Sequence, residues 1–117
     1  AGFRSTLTSY LRLQPGVEVV GEVEDGYDVV DQAMALAPDL VLVDVRMPRT
    51  NGIDAAREIK VRRPDACVVV MSAGGHDIYR SMALQNNADA FLDKSSMKAS
   101  LQTLLSTFQR PHQPMAA

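Results

Sequence analysis

Leu40-Val41-Leu42-Val43-Asp44-Val45-Arg46-Met47-Pro48, closing at Asn51-Gly52, is the stretch that decides how this chain is read. Its run of four apolar residues predicts a strand buried on both faces, the mark of a parallel sheet. Asp44 stands at the carboxyl end of that strand. Pro48 and Gly52 then punctuate a loop before an amphipathic segment begins. Open parallel α/β sheets hold ligands and chemistry outside the carboxyl ends of their strands. Asp44 is therefore placed where a carboxylate can act.

Outward from this stretch, helix and strand alternate. Phe3, Leu7, Tyr10 and Leu11 recur at helical spacing until Pro15-Gly16, and Val17-Glu18-Val19-Val20-Gly21-Glu22-Val23 reads as a strand. Val29, Val30, Ala33, Met34 and Ala37 mark a second helix ended by Pro38. Beyond the Asp44 strand, Ile53, Ala56, Ile59 and Lys60 carry a third helix to Arg63-Pro64. Cys67-Val68-Val69-Val70-Met71 is another buried strand, ending at Ser72-Ala73-Gly74-Gly75. A fourth helix runs from about Asp77 through Ile78, Met82 and Leu84 to Asn86-Asn87, and Ala90-Phe91-Leu92-Asp93-Lys94 is a last short strand. Ser95 or Ser96 is expected to cap a final helix whose apolar face is Leu101, Leu104, Leu105 and Phe108. Met34, Met71 and Met82 read as core filling.

This alternation predicts a doubly wound α/β layer fold. Residues 1–109 form the expected domain and 110–117 a tail or the start of a linker. The chain opens on a helix, however, so five helices accompany only four strands.

Composition narrows the class. A chain of 117 residues with net charge −2 carries one domain and no nucleic-acid footprint. Its one cysteine, Cys67, heads an apolar run and reads as a buried thiol rather than a nucleophile. His76 and His112 lack partners at metal-ligand spacing, and Glu22, Glu24 and Asp25 read as a solvated loop. No apolar stretch approaches the ~20 residues of a membrane span and no signal peptide is visible, so the expected location is cytoplasmic.

The segments Val20-Gly21-Glu22-Val23-Glu24-Asp25-Gly26, Pro38 to Pro48, Asn51-Gly52, Met71-Ser72-Ala73, Asn87-Ala88-Asp89-Ala90-Phe91 and Leu92-Asp93-Lys94 together resemble receiver domains of bacterial two-component response regulators. The similarity is to the nitrate-response/LuxR-type subfamily and spans essentially the whole chain. It implies a flavodoxin-like sheet of order 2-1-3-4-5 with the first strand absent from this sequence. It also implies that Asp44 accepts a phosphoryl group from a sensor histidine kinase, that Ser72 hydrogen-bonds it and that Lys94 pairs with it. Phe91 falls at the aromatic switch position, with Ser72 as its companion. Asp44 and the backbone carbonyl of Arg46 match ligands of Mg²⁺, the remaining acidic ligands being outside the sequence. The implied protein is no enzyme in itself. It controls transcription through a DNA-binding domain beyond this chain, and it dimerises through the fourth helix, last strand and fifth helix, or through the first and fifth helices.

Elementary chemistry agrees with these roles. Three strand ends on one edge can surround a phosphoryl group with an acid, a hydroxyl and an ammonium, and phosphorylation brings about −1.5 to −2 charges to that point. An isolated Asp44 would more often be a helix cap or a solvated acid, and an isolated Lys94 a surface lysine. Their company with Ser72 and the Met47-Pro48 turn favours the signalling role. The alternative is a degenerate receiver acting as a phosphorylation-independent interaction module. A flavin-binding protein is disfavoured because no Gly-rich first loop is present.

The missing strand makes its own prediction. In the order 2-1-3-4-5 it is central, so Val17–Val23 and Leu40–Val45 should flank a vacant strand-wide groove, or a groove filled by a foreign strand. Asn87, where the family usually has glycine, is expected to tolerate a left-handed helix cap.

Overall fold

The computed structural model describes residues 2–23, 26–46, 51–74 and 76–108. Five helices and three strands alternate along them: α1 (Gly2–Arg12), α2 (Gly26–Leu36), β1 (Leu40–Asp44), α3 (Gly52–Arg62), β2 (Cys67–Ser72), α4 (His76–Gln85), β3 (Ala90–Asp93) and α5 (Met97–Phe108), with a 3-10 turn at Lys94–Ser96. The strands form one parallel sheet of order β1-β2-β3. Leu40 pairs in register with Cys67, Asp44 with Met71, and Val70 with Phe91. The expected tail from Arg110 lies outside the described residues.

Strand alternation sorts the core into two layers. Val41, Val43, Val68, Val70 and Phe91 face α2, α3 and α4, where Val29, Ala33, Ile59 and Ala83 complete one cluster. Leu40, Leu42, Val69, Met71 and Leu92 face α1 and α5, meeting Leu7, Leu101 and Leu105. Both faces of the central strand β2 are therefore covered, and Val68, Val69 and Val70 are fully buried, as an uninterrupted apolar run requires.

Local chemistry sets the helix ends. Gly16 takes a left-handed φ of 76° after α1. Asn51 caps α3 by accepting from the Asp54 amide at 2.8 Å, and its own amide returns a bond to the Asp54 carboxylate. Asn87, at φ 73°, closes α4: its N–H donates to the Leu84 carbonyl and that of Ala88 to Ala83, the Schellman pattern. The left-handed cap expected of Asn87 is thus in place.

Three expectations need correction. Val17–Val23 is not a strand. None of the described backbone hydrogen bonds joins residues 18–23 to β1, because a strand's ladder needs a neighbour at ~4.8 Å and none of the described segments stands there. Instead an open groove of about 420 Å³, lined by Leu7, Val17, Val19, Val29, Leu40 and Leu42, separates the two segments. The groove anticipated from the sequence is open among the described residues, and Arg4 of α1 pairs with Glu22 beside it at 3.1 Å. Met82 is 42% exposed rather than core, since its place on α4 faces away from the sheet. Neither Ser95 nor Ser96 caps α5 directly: Asp93 does the capping, one step earlier, for the 3-10 turn that leads into it.

Candidate functional site

Asp44 ends β1 on the same side of the sheet as Leu40 and Leu42, following the strand's alternation. Its backbone is fixed from two directions. The N–H of Val45 donates to the Met71 carbonyl at 2.9 Å, extending the ladder past Asp44, and the N–H of Gly52 donates to the Val45 carbonyl at 2.9 Å. These bonds bring the start of α3 under the carboxyl end of β1. The approach is so close that a Cβ on Gly52 would fall 2.0 Å from the Asp44 carbonyl oxygen.

The Asp44 carboxylate is held through both oxygens. Oδ1 accepts from the Arg46 N–H at 3.0 Å, a turn that aims the carboxylate back over its own strand end. Oδ2 accepts from the Lys94 ammonium in a part-buried ion pair, with side-chain exposures of 28% and 20%. Lys94 starts two strands away, roughly 9–10 Å across the sheet, so its long stem has to cross the end of β2. Asp93 anchors it: its Oδ1 accepts from the Ser95 N–H at 2.9 Å and the Ser95 hydroxyl at 2.8 Å. The 3-10 turn so formed makes Lys94 its first residue.

Ser72 ends β2 between them, yet its hydroxyl is turned to its own loop. It donates to the Gly74 carbonyl and accepts from the Gly74 N–H at 3.2 Å. Ser72 follows the alternation of Val68 and Val70, whereas Asp44 follows that of Leu40 and Leu42. Of the residues expected at the site, the fold therefore joins Asp44, Lys94 and the Arg46 backbone, and leaves the Ser72 hydroxyl engaged elsewhere. Phe91 is 5% exposed, three residues ahead of Lys94, in the layer that faces α4.

Three participants were not singled out in the sequence. Asp93 carries a readable signal, an acid two residues before a serine, which is the spacing of a side-chain-to-backbone turn. Gly52 as a close-approach residue and Arg80, whose guanidinium lies 5.3 Å over the Phe91 ring, depend on tertiary packing and leave no local signal. Cys67 is half-buried; burial first, and Asp89 second, push its thiol up to about 11 against a smaller opposing effect of Lys60.

Among the described residues no group of three or more His, Cys, Asp or Glu side chains gathers as a metal site. At the strand edge the Asp44 carboxylate and the Arg46 carbonyl are oxygen donors of the kind that could hold Mg²⁺. Mg²⁺ keeps several waters and is commonly bound by one or two carboxylates with phosphate oxygens, so this pair fits the lower end of its needs.

Comparison with known proteins agrees in sequence and in shape. The response regulator receiver domain model matches residues 1–106. The transcriptional regulatory protein DegU of Brevibacillus brevis is 35% identical over 92 residues, covering 79% of this chain and 39% of DegU. The chemotaxis protein CheY of Thermotoga maritima is 35% identical over 94 residues, covering 80% of this chain and 78% of CheY. Among solved structures, the signal receiver domain of a response regulator designated NarL from Mycobacterium tuberculosis superposes with a TM-score of 0.82 at 31% identity, covering 90% of this chain and 86% of that one. The chain spans less than half the length of DegU and of several other curated relatives.

Proposed function

This chain belongs to the response regulator receiver domain family, and on that premise we propose that Asp44 is its phosphoacceptor. One observation carries the assignment: Lys94 crosses two strands to pair with Asp44 at the carboxyl edge of the sheet. A cation drawn that far to one carboxylate marks the point where further negative charge can be neutralised.

The reaction needs little covalent help. A carboxylate oxygen of Asp44 attacks the phosphorus of a phosphohistidine on a sensor kinase, the P–N bond breaks, and an acyl phosphate forms on Asp44. The protein's part is to place the nucleophile and offset charge. The Arg46 N–H and Lys94 hold the carboxylate in place beforehand. Lys94 then follows the charge onto the phosphoryl oxygens, and the Ser72 hydroxyl leaves Gly74 to donate to them. Asp44 and the Arg46 carbonyl would hold Mg²⁺, which when bound shields the incoming phosphoryl charge.

The withdrawal of Ser72 moves Ala73, Gly74 and the start of α4, and Phe91 responds between exposed and buried forms. The output surface is then α4, β3 and α5, the face through which a homodimer forms, with α1 and α5 as the other candidate face. In the whole protein this switch, within residues 1–109, controls transcription through a DNA-binding domain. The chain itself acts as a phosphoacceptor and not as an enzyme. Its setting is cytoplasmic, and among the described residues no helix is long and apolar enough to cross a membrane.

Intact mass after incubation with a small acyl phosphate and Mg²⁺ tests the reading. The full-length protein should gain one phosphoryl group on this domain, Asp44→Ala should gain none, and Lys94→Met should slow the gain by about 10²-fold or more. The same gain in Asp44→Ala, or none in the unsubstituted full-length protein, refutes it.

A further inference from the structure

Lys94 brings the positive charge to the Asp44 carboxylate, yet the sheet does not hold its backbone. The ladder between β2 and β3 ends with the register pair Ser72–Asp93, and Lys94 is the next residue. β3 has four residues, and β2 is its only neighbour among the described strands. The backbone of Lys94 is therefore placed by the turn that follows the strand. Its ammonium has to cross the end of β2 to meet Asp44. A displacement of about 1 Å at the root of that side chain is enough to break a contact made at hydrogen-bond distance.

Asp93 closes that turn. Its Oδ1 accepts from the Ser95 N–H at 2.9 Å and from the Ser95 hydroxyl at 2.8 Å. Both bonds run from the residue before Lys94 to the residue after it, so they enclose the Lys94 backbone in a ring. Asp93 itself stays extended, at φ −89° and ψ 126°, while Lys94–Ser96 wind into the 3-10 turn. One carboxylate thus fixes the change of direction at which Lys94 leaves the strand.

We propose that Asp93 is a positioning residue for Lys94: the turn it closes on Ser95 sets the point from which the ammonium reaches Asp44. The inference rests on the reading of Asp44 as phosphoacceptor and adds to it the residue that prepares its cation. Before transfer the turn holds Lys94 against the carboxylate. After transfer Lys94 reaches the phosphoryl oxygens by side-chain rotation, its backbone staying where the turn has put it. Both bonds to Ser95 are exposed, so each shifts the balance between closed and open turn by about two- to tenfold.

The test follows two readouts in the full-length protein. One is the mass gained from a small acyl phosphate with Mg²⁺. The other is brief acetylation of Lys94 by acetic anhydride, with no phosphodonor present, measured by peptide mass spectrometry against Lys60, which the Pro64 and Ala66 carbonyls hold elsewhere. Asp93→Ala removes the acceptor, whereas Asp93→Asn keeps a side-chain oxygen for Ser95 and removes the charge. In Asp93→Ala phosphorylation should slow, and Lys94 acetylation quicken, each about two- to tenfold, with Asp93→Asn nearer to the unsubstituted protein on both. In a Lys94→Met background Asp93→Ala should slow phosphorylation no further, because a residue acting through Lys94 has nothing left to place. Equal slowing with and without Lys94, Asp93→Asn as impaired as Asp93→Ala, or unchanged Lys94 acetylation in Asp93→Ala overturns the role. Acetylation that responds as expected in a protein that gains no phosphoryl group upholds it and refutes the Asp44 reading instead.

Discussion

Replacing Gly52 by alanine should damage the site from beneath. Gly52 is buried at the first position of α3, and a Cβ there would lie 2.0 Å from the Asp44 carbonyl oxygen, 2.6 Å from its carbon and 3.1 Å from the Val45 nitrogen. Carbon and oxygen settle at about 3.3–3.6 Å, so roughly 1–1.5 Å of backbone movement is needed. Both sides resist it. Val45 is bonded to Met71 and to Gly52 itself, and Asn51 is committed to the α3 cap. Alanine would bring a helix-propensity gain of at most about 1 kcal/mol, against an overpacking cost of about 1–3 kcal/mol or more. A contact of 2.0 Å with backbone puts the cost at its upper end, so the clash wins and a net loss of about 2 kcal/mol is expected by urea denaturation. Displacing the Asp44 backbone by ~1 Å should also slow phosphorylation from a small donor on the order of 10²-fold. Gly74→Ala is the control, because a Cβ there meets nothing within 4 Å. An unchanged or raised urea midpoint in Gly52→Ala would refute the close-approach argument.

Two further outcomes follow from other parts of the molecule. The Lys60 ammonium donates to the Pro64 and Ala66 carbonyls at 2.8 Å and to Asp89 at 3.0 Å, while Asp89 also accepts from the Val68 N–H at 2.8 Å. Lys60→Met should cost about 1–3 kcal/mol in urea denaturation, below the loss for a fully buried pair since Asp89 is 39% exposed, and adding Asp89→Asn should cost less than the two losses summed. Cys67, pushed from an ordinary 9.0 up to about 11, should alkylate at pH 8 about a hundredfold more slowly in the folded chain than in urea. Because the unfolded thiol releases its proton first, stability should fall as pH rises from 9 toward 11, and Cys67→Ala should lose that component of the decline when urea midpoints are compared at pH 8 and 10.5.

Short-range pattern carried most of the fold. The runs at Leu40–Asp44 and Cys67–Ser72 could only be strands covered on both faces, and the turn chemistry at Gly16, Asn51 and Asn87 placed helix ends within a residue or two. Pattern failed at Val17–Val23, whose composition is as strand-like as any other segment. A strand is a relation between two chains of backbone, and no described segment lies beside this one, so the residues border a groove instead. It failed again at Met82, where helical spacing gives an apolar position but the direction of the sheet decides which side of α4 is covered.

The sequence by itself determined the alternation of elements, the family, and the presence of an acid, a hydroxyl and an ammonium at three strand ends. Those follow from residue type and spacing, which act over a few neighbours along the chain. Only the tertiary structure decided that Lys94 reaches Asp44 while the Ser72 hydroxyl turns to Gly74, that Gly52 must lack a side chain, and that Arg80 covers Phe91. Each of these is a contact between residues on different elements, or the orientation of one hydroxyl among several acceptors. Sheet register, strand order and the crossing of α3 and α4 over the sheet set them, and none of these quantities is written in any one segment.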